Sequence, residues 1–336
     1  VNNLFSNIAP GEHNLQPSNK ENPMPDVVIA FFGLGLLAGL LKSDLRVPES
    51  TYETLSILLM LTLGLKGGMA LHGHTDQLSF AELGLVIGLG LAIPLALYPI
   101  LKKVVRLSQS DAISIAAHYG SVSAGTFAVV YAMTEQLGWP LKPETTLYLV
   151  LLELPSIIVM LWLYRRLNRD KTGGSGNILL EALTSRGVIL LGGGVLIGWG
   201  YGAEGLASLS PVLMQGFKTL LALFLLEMGL CTARVCAPLP LSHWRLLVFA
   251  AITPFVLAWV GIITGHALGL PAGSTLVLAG LCASASYIAA PAAIRAAIPS
   301  ANIGVAMLAS LGVTFPINLL IGLNLYRQWV AWIYGL

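Results

Sequence analysis

Residues 116–127 read AAHYGSVSAGTF, a run of Gly, Ser, Thr and one His inside a chain that is otherwise greasy. Gly is a poor helix former and Ser and Thr compete for backbone hydrogen bonds, so a helix through this run is poised to come apart. What that means depends on where the run lies. Of the 336 residues, 56% are hydrophobic and 10% charged, and mean hydropathy is +0.79, whereas soluble domains carry about a quarter charged residues. The chain is therefore read as an all-α polytopic membrane protein, with this run inside the bilayer. A net charge of +2 gives no footing for nucleic acid. Cys231, Cys236 and Cys282 lie in or beside apolar segments without metal or disulfide spacing, and are read as reduced packing residues.

A bilayer core of about 30 Å takes roughly 20 apolar residues per helix, and that ruler marks about ten segments. They are Asp26 to Leu41, Ser50 to Leu71, Ser79 to Leu101, Asp111 to Leu137, Pro143 to Tyr164, Gly187 to Tyr201, Pro211 to Cys231, Trp244 to Leu268, Ala272 to Ile298 and Asn302 to Trp332. Lys and Arg crowd the odd-numbered loops and their flanks, from Lys42 and Arg46 through Lys102, Lys103, Arg106, Arg165, Arg166 and Arg186 to Arg234, Arg245 and Arg295. The positive-inside rule then puts both termini outside and the linker around RRLNRDKTGGSGN in the cytoplasm, across a cytoplasmic (inner) membrane. Residues 1–25 are polar, lack the features of a secretory signal and read as a disordered tail, with Met24 resembling a natural start.

The linker, residues 170–186, divides the chain into segments 26–169 and 187–336, each with an odd number of spans, which forces opposite orientations: the arithmetic of an inverted repeat. Internal matches agree. Pro48 and Pro211 open the second span of each half, followed by LTLGLKGGMA and LFLLEMGLCTA, and SVSAGTF in the fourth span is answered by CASASYIAAP in the ninth. In the ninth span Pro291 has no N–H to give the carbonyl of Tyr287. In the fourth, Gly120 and Gly125 flank Ser121, Val122 and Ser123 and permit local unwinding. Interrupted helices survive at membrane depth only inside protein or a wet cavity; their N-termini favour an anion and their freed carbonyls and hydroxyls a small hard cation. Substrate candidates are Gly120, Ser121, Val122, Ser123, Gly125, Thr126, Ser284, Ala285 and Ser286; sodium candidates are Ser123, Glu153, Ser286, Tyr287 and Asn318. Glu153 stands near the middle of the fifth span, where an ionisable group is costly and usually functional. Lys66 and Glu227 occupy similar places in the two second spans, within snorkelling reach of the interfaces. His118 reads as a hydrogen-bonded structural residue, Arg295 as a helix anchor, and His72, His74 and Asp76 as too few ligands for a metal.

LTLGLKGGMAL, HYGSVSAGTFAVVYAMTE, LYLVLLELPSI and ASASYIAAPAAIRAAIPSANIGVAMLASLGVTFPINLLIGL together resemble the sodium-dependent bicarbonate transporter family, from about Met24 to the C-terminus. The resemblance implies two inverted five-span repeats with discontinuous fourth and ninth helices, a core and a gate domain, a homotrimer and elevator-like transport. It also implies import of bicarbonate by symport with sodium as coupling ion, no cofactor, and a PII-like regulatory protein on the cytoplasmic face. Gly120–Thr126 matches the family's first broken motif, Ala283–Ala290 the second, and Glu153 an aspartate before Ile-Pro. The chain departs from the family at Tyr287, where cyanobacterial members carry an aspartate, in having one proline fewer there, and in its shorter linker. Two other readings stand beside this one. The same scaffold suits a sodium- or proton-coupled symporter of another small organic anion, and SVSAG with His118 or His266 resembles the nucleophile turn of an intramembrane serine hydrolase. That motif lacks its first glycine and its strand-turn-helix context, so the chain is read as a transporter and not an enzyme.

Overall fold

The computed structural model describes residues 27–73, 79–168, 184, 186–236 and 241–336. The tail expected over 1–25, most of the linker expected over 170–186, and His74 and Asp76 lie outside the described residues. Within them the chain is helical without a strand. The helices are α1 (Val27–Leu40), α2 (Glu49–Leu71), α3 (Phe80–Val105), α4 (Gln109–Gly120), α5 (Ala124–Leu137), α6 (Tyr148–Leu167, entered by a 3-10 turn from Pro143), α7 (Arg186–Gly205), α8 (Phe217–Cys236), α9 (Trp244–Ala267), α10 (Ala272–Cys282), α11 (Ala289–Ala297) and α12 (Ile303–Tyr334). Eight segments are long and apolar enough to cross a membrane, the pair α4 and α5 counting as one, and α1 and α10 are shorter apolar helices. This is a multi-pass membrane protein. The expected spans recur with one shift: Pro211 falls in a separate turn, Ser210–Leu213, and the seventh span begins at Phe217.

Local chemistry sets the ends. The Ser79 hydroxyl accepts from the Glu82 amide to start α3, Ser108 accepts from Asp111 to start α4, and Gly138 at φ 62° closes α5. Pro254 inside α9 has no amide for the carbonyl of Ala250, and the Thr314 hydroxyl of α12 donates to that oxygen at 2.9 Å.

Two groups of helices result. In the first, α1 packs along α8 and α2 along α7. Both contacts are glycine-to-backbone: a methyl on Gly68 would stand 2.2 Å from the Val195 carbonyl oxygen, one on Gly198 2.4 Å from that of Leu65, one on Gly35 1.9 Å from that of Leu226, and one on Gly229 2.2 Å from that of Phe32. Small residues four apart let membrane helices close to backbone contact. The second group holds α3 to α6 and α9 to α12, with α3 on α4 and α6, and α10 between α9, α5 and α12. Lys102, Lys103, Arg106, Arg165, Arg166, Arg186, Arg234 and Arg245 stand at or next to the ends of α3, α6, α7, α8 and α9, Arg106 and Arg245 bordering one cleft; the end they mark is hereafter the basic end. At the other end Lys142 pairs with Glu82 at 2.6 Å and Glu144 at 3.6 Å, while the Tyr148 hydroxyl donates to Glu82.

Candidate functional site

The fourth span breaks over three residues. Ser121 turns out of the helix, Val122 takes φ 49°, and Ser123 is extended, its hydroxyl accepting from the Thr126 amide at 3.1 Å as the cap of α5. The flanking glycines, expected to supply the unwinding, serve close approach instead. A methyl on Gly120 would meet the Ser156 hydroxyl at 2.0 Å, and one on Gly125 would meet the Tyr287 hydroxyl at 2.0 Å. The left-handed position itself is held by a β-branched residue, Val122.

The ninth span breaks between Cys282 and Ala289. Pro291 lies in the first turn of α11, where its missing amide would be unpaired anyway, so the Tyr287 carbonyl leaves the helical ladder because the chain before α11 is unwound and not because of the proline. The two breaks cross and are stitched together. The Ser123 amide donates to the Ser284 hydroxyl at 2.8 Å, which donates to the Leu281 carbonyl at 2.8 Å, and the Ser286 amide donates to the His118 carbonyl at 2.7 Å. The Ser286 hydroxyl accepts from the Ala290 amide in the first turn of α11 at 3.2 Å, although the N-cap position of that helix is Ile288, which makes no side-chain cap.

Two helix N-termini thus converge, each with first-turn amides that lack intrahelical partners and a dipole that favours negative charge. Around them several buried polar atoms have no hydrogen-bond partner: the hydroxyls of Ser56, Ser121, Thr126 and Tyr287, and Nε2 of His118. Buried polar groups are normally satisfied, so this concentration marks a place built for a polar ligand. A cavity of about 10 Å³ adjoins it, lined by Ser56, Gly125, Phe224 and Ile288 among others. Ile288 also borders a cleft of about 420 Å³ toward the basic end, lined by Glu53, Arg186, Gly187, Ala289, Ala292 and Ala293, with Arg186 and Glu53 paired at 3.3 Å. Ser56 is a site residue that the sequence reading missed; its only signal is a hydroxyl inside the apolar face of α2.

The remaining candidates divide. Val122, Ala285 and Ser286 are buried at the crossing. Asn318 lies beneath it with both ends of its amide used, Nδ2 donating to the Ala283 carbonyl at 2.8 Å and Oδ1 accepting from Tyr326 at 2.8 Å. Glu153 is buried on α6, its Oε1 without a partner and 3.0 Å from where a methyl on Gly187 would stand; among the described residues no hydrogen bond joins it to either break. Lys66 pairs with Glu135 at 2.9 Å, and Glu227 pairs through Oε1 with Arg234 at 3.4 Å while its buried Oε2 has no hydrogen-bond partner. His118 Nδ1 donates to the Ser114 carbonyl at 2.7 Å and its Nε2 has no hydrogen-bond partner, so no hydrogen bond joins it to the Ser123 hydroxyl as a nucleophile pair would require. No group of three or more His, Cys, Asp or Glu suited to a metal occurs among the described residues.

Compared with known families, residues 27–331 match the model of the Na+-dependent bicarbonate transporter superfamily. No curated protein matches the chain.

Proposed function

We propose that this chain, which belongs to the Na+-dependent bicarbonate transporter superfamily, is a secondary active transporter that imports bicarbonate by sodium symport at the crossing of its two broken spans. The observation that carries the reading is the reciprocal stitching of the breaks, Ser123 amide to Ser284 and Ser286 amide to His118, which aims two helix N-termini at one point. An anion held there gains amide donors and two dipoles. The substrate set is Gly120, Ser121, Val122, Ser123, Gly125 and Thr126, with Ser284, Ala285 and Ser286; the sodium set is the oxygens of Ser123 and Ser286 and the backbone carbonyl of Tyr287, with Glu153 as the carboxylate and Asn318 holding the loop.

The inverted repeat, 26–169 against 187–336, is supported by the packing. If the first span corresponds to the sixth and the second to the seventh, α1 on α8 is the counterpart of α7 on α2, and the glycines fall in register: Gly35 and Gly39 with Gly194 and Gly198, Gly64 and Gly68 with Gly229 and Ala233. On this reading α1, α2, α7 and α8 are the gate, the remaining helices the core, and transport is an elevator-like displacement of core against gate. Both termini lie outside a cytoplasmic membrane with the basic end in the cytoplasm. A homotrimer and a PII-like regulator at the cytoplasmic face follow from the family resemblance.

One sodium with one bicarbonate carries no net charge, so a tenfold sodium gradient supplies about 1.4 kcal/mol. A second reading, a symporter of another small organic anion, is favoured by one observation: neither break contains a carboxylate, Tyr287 standing in the second. Thermal-shift titration of the purified protein separates the two. Bicarbonate is expected to raise the unfolding temperature in sodium and not in potassium; stabilisation by a carboxylate alone would favour the second reading.

A further inference from the structure

We propose that the Tyr287 hydroxyl is the specificity-determining group of the anion site, a neutral donor held over Gly125 that hydrogen-bonds a small trigonal oxyanion and excludes bulkier carboxylates. The inference rests on the transport reading above and deepens it. Tyr287 belongs to the unwound stretch just before α11, yet its phenol reaches the first turn of α5. A methyl on Gly125 would stand 2.0 Å from the hydroxyl oxygen and 3.3 Å from the ring carbon that bears it. One side chain therefore ties together the two helix N-termini.

The ring is fixed. It is 6% exposed and packs edge-on against Phe315, with centroids 5.2 Å apart. Its hydroxyl lies alongside the Ser123 side chain and the Gly125 backbone, without a hydrogen bond of regular geometry to either. A buried hydroxyl in that state costs free energy that a ligand restores. The charge logic points the same way. A carboxylate at this position would repel an anion, whereas a phenol donates to one, joined by the unpartnered hydroxyls of Ser121 and Thr126 and the first-turn amides. The space beside Gly125 is small and apolar: a cavity of about 10 Å³, room for about one water-sized probe, walled by Leu59, Leu63, Phe224 and Ile288 among others. Any anion must therefore enlarge it, and an added alkyl group needs more room still against Phe224 and Ile288.

The test uses the full chain in proteoliposomes, starting with sodium-driven bicarbonate uptake by the unaltered protein. Tyr287→Phe is expected to raise the bicarbonate KM about tenfold or more while the sodium KM moves less than about twofold. Tyr287→Ala is expected to turn acetate and propionate into effective competitors. Gly125→Ala should lower thermal stability sharply in the native background and much less in the Tyr287→Phe background, because the collision is with the hydroxyl. An unchanged bicarbonate KM in Tyr287→Phe with unchanged anion selectivity in Tyr287→Ala overturns the inference and leaves the transport reading intact. A Tyr287→Phe protein that fails to assemble also counts against it, since an unpartnered hydroxyl is not needed for the fold. If the unaltered protein moves no bicarbonate, the transport reading fails and this inference with it.

Discussion

Val122 is the residue on which the fourth span turns, and it is an unexpected one. At φ 49° a β-branched side chain is strained by about 1–3 kcal/mol, a cost carried only where surrounding bonds fix the backbone. Here they do: the next amide is held by Ser284, and the next hydroxyl caps α5. Val122→Gly relieves the strain but forfeits a nearly fully buried isopropyl group worth roughly 1.5 kcal/mol, so the two effects nearly cancel. Its unfolding temperature should stay close to that of the unaltered protein, while Val130→Gly, in the buried interior of α5, should cost about 3 kcal/mol or more. Equal losses in the two variants would mean that Val122 is unstrained. The sequence marks this run as breakable through its Gly, Ser and Thr, but which residue turns left-handed depends on partners from the ninth span. Ser123 and Ser284 were legible as candidates in matching motifs but not as hydrogen-bond partners, and Ser56, contributed by α2 across a helix interface, carried no local signal.

Among elements, α2 on α7 is one of the two glycine-to-backbone joints of the first helix group. LTLGLKGGMA was read as a repeat mark, and the structure places the α7 backbone against its Gly64 and Gly68. Gly68→Ala is expected to destabilise by about 2 kcal/mol or more, because the nearest atoms are backbone and have nowhere to go. Gly84→Ala, on an open face of α3, is expected to be neutral or to stabilise by up to about 1 kcal/mol through helix propensity. Thermal unfolding in detergent reads both, and similar effects at the two positions would contradict the packing. Span limits were legible wherever apolar length alone decides them. The seventh was not, since Pro211 is an apolar-run start that the chain spends on a separate turn.

For the whole molecule, the described ion pair that joins the two helix groups is Lys66–Glu135, at 2.9 Å, with the ammonium 4.6 Å from the Phe217 ring centroid. It lies at the end opposite the cleft that Ile288 and Ala292 line. On the elevator reading the pair favours the arrangement in which that cleft is open. A pair of this exposure is worth about 0.5–1 kcal/mol, so Glu135→Gln should slow maleimide labelling of Ala292→Cys about two- to fivefold. An unchanged rate would mean that the pair does not bias the two groups. The family and the broken spans were legible in the sequence because they rest on local strings; the assignment of helices to two groups was not, because it rests on which glycines meet which backbone.

If the crossed breaks bind bicarbonate and sodium together, uptake of labelled bicarbonate into proteoliposomes must follow the sodium gradient. With a tenfold inward sodium gradient and one-to-one coupling, the protein is predicted to concentrate bicarbonate up to about tenfold, and to collapse to equilibration when sodium is equal on both sides. Uptake that proceeds at the same rate and to the same level with sodium replaced by potassium would contradict it.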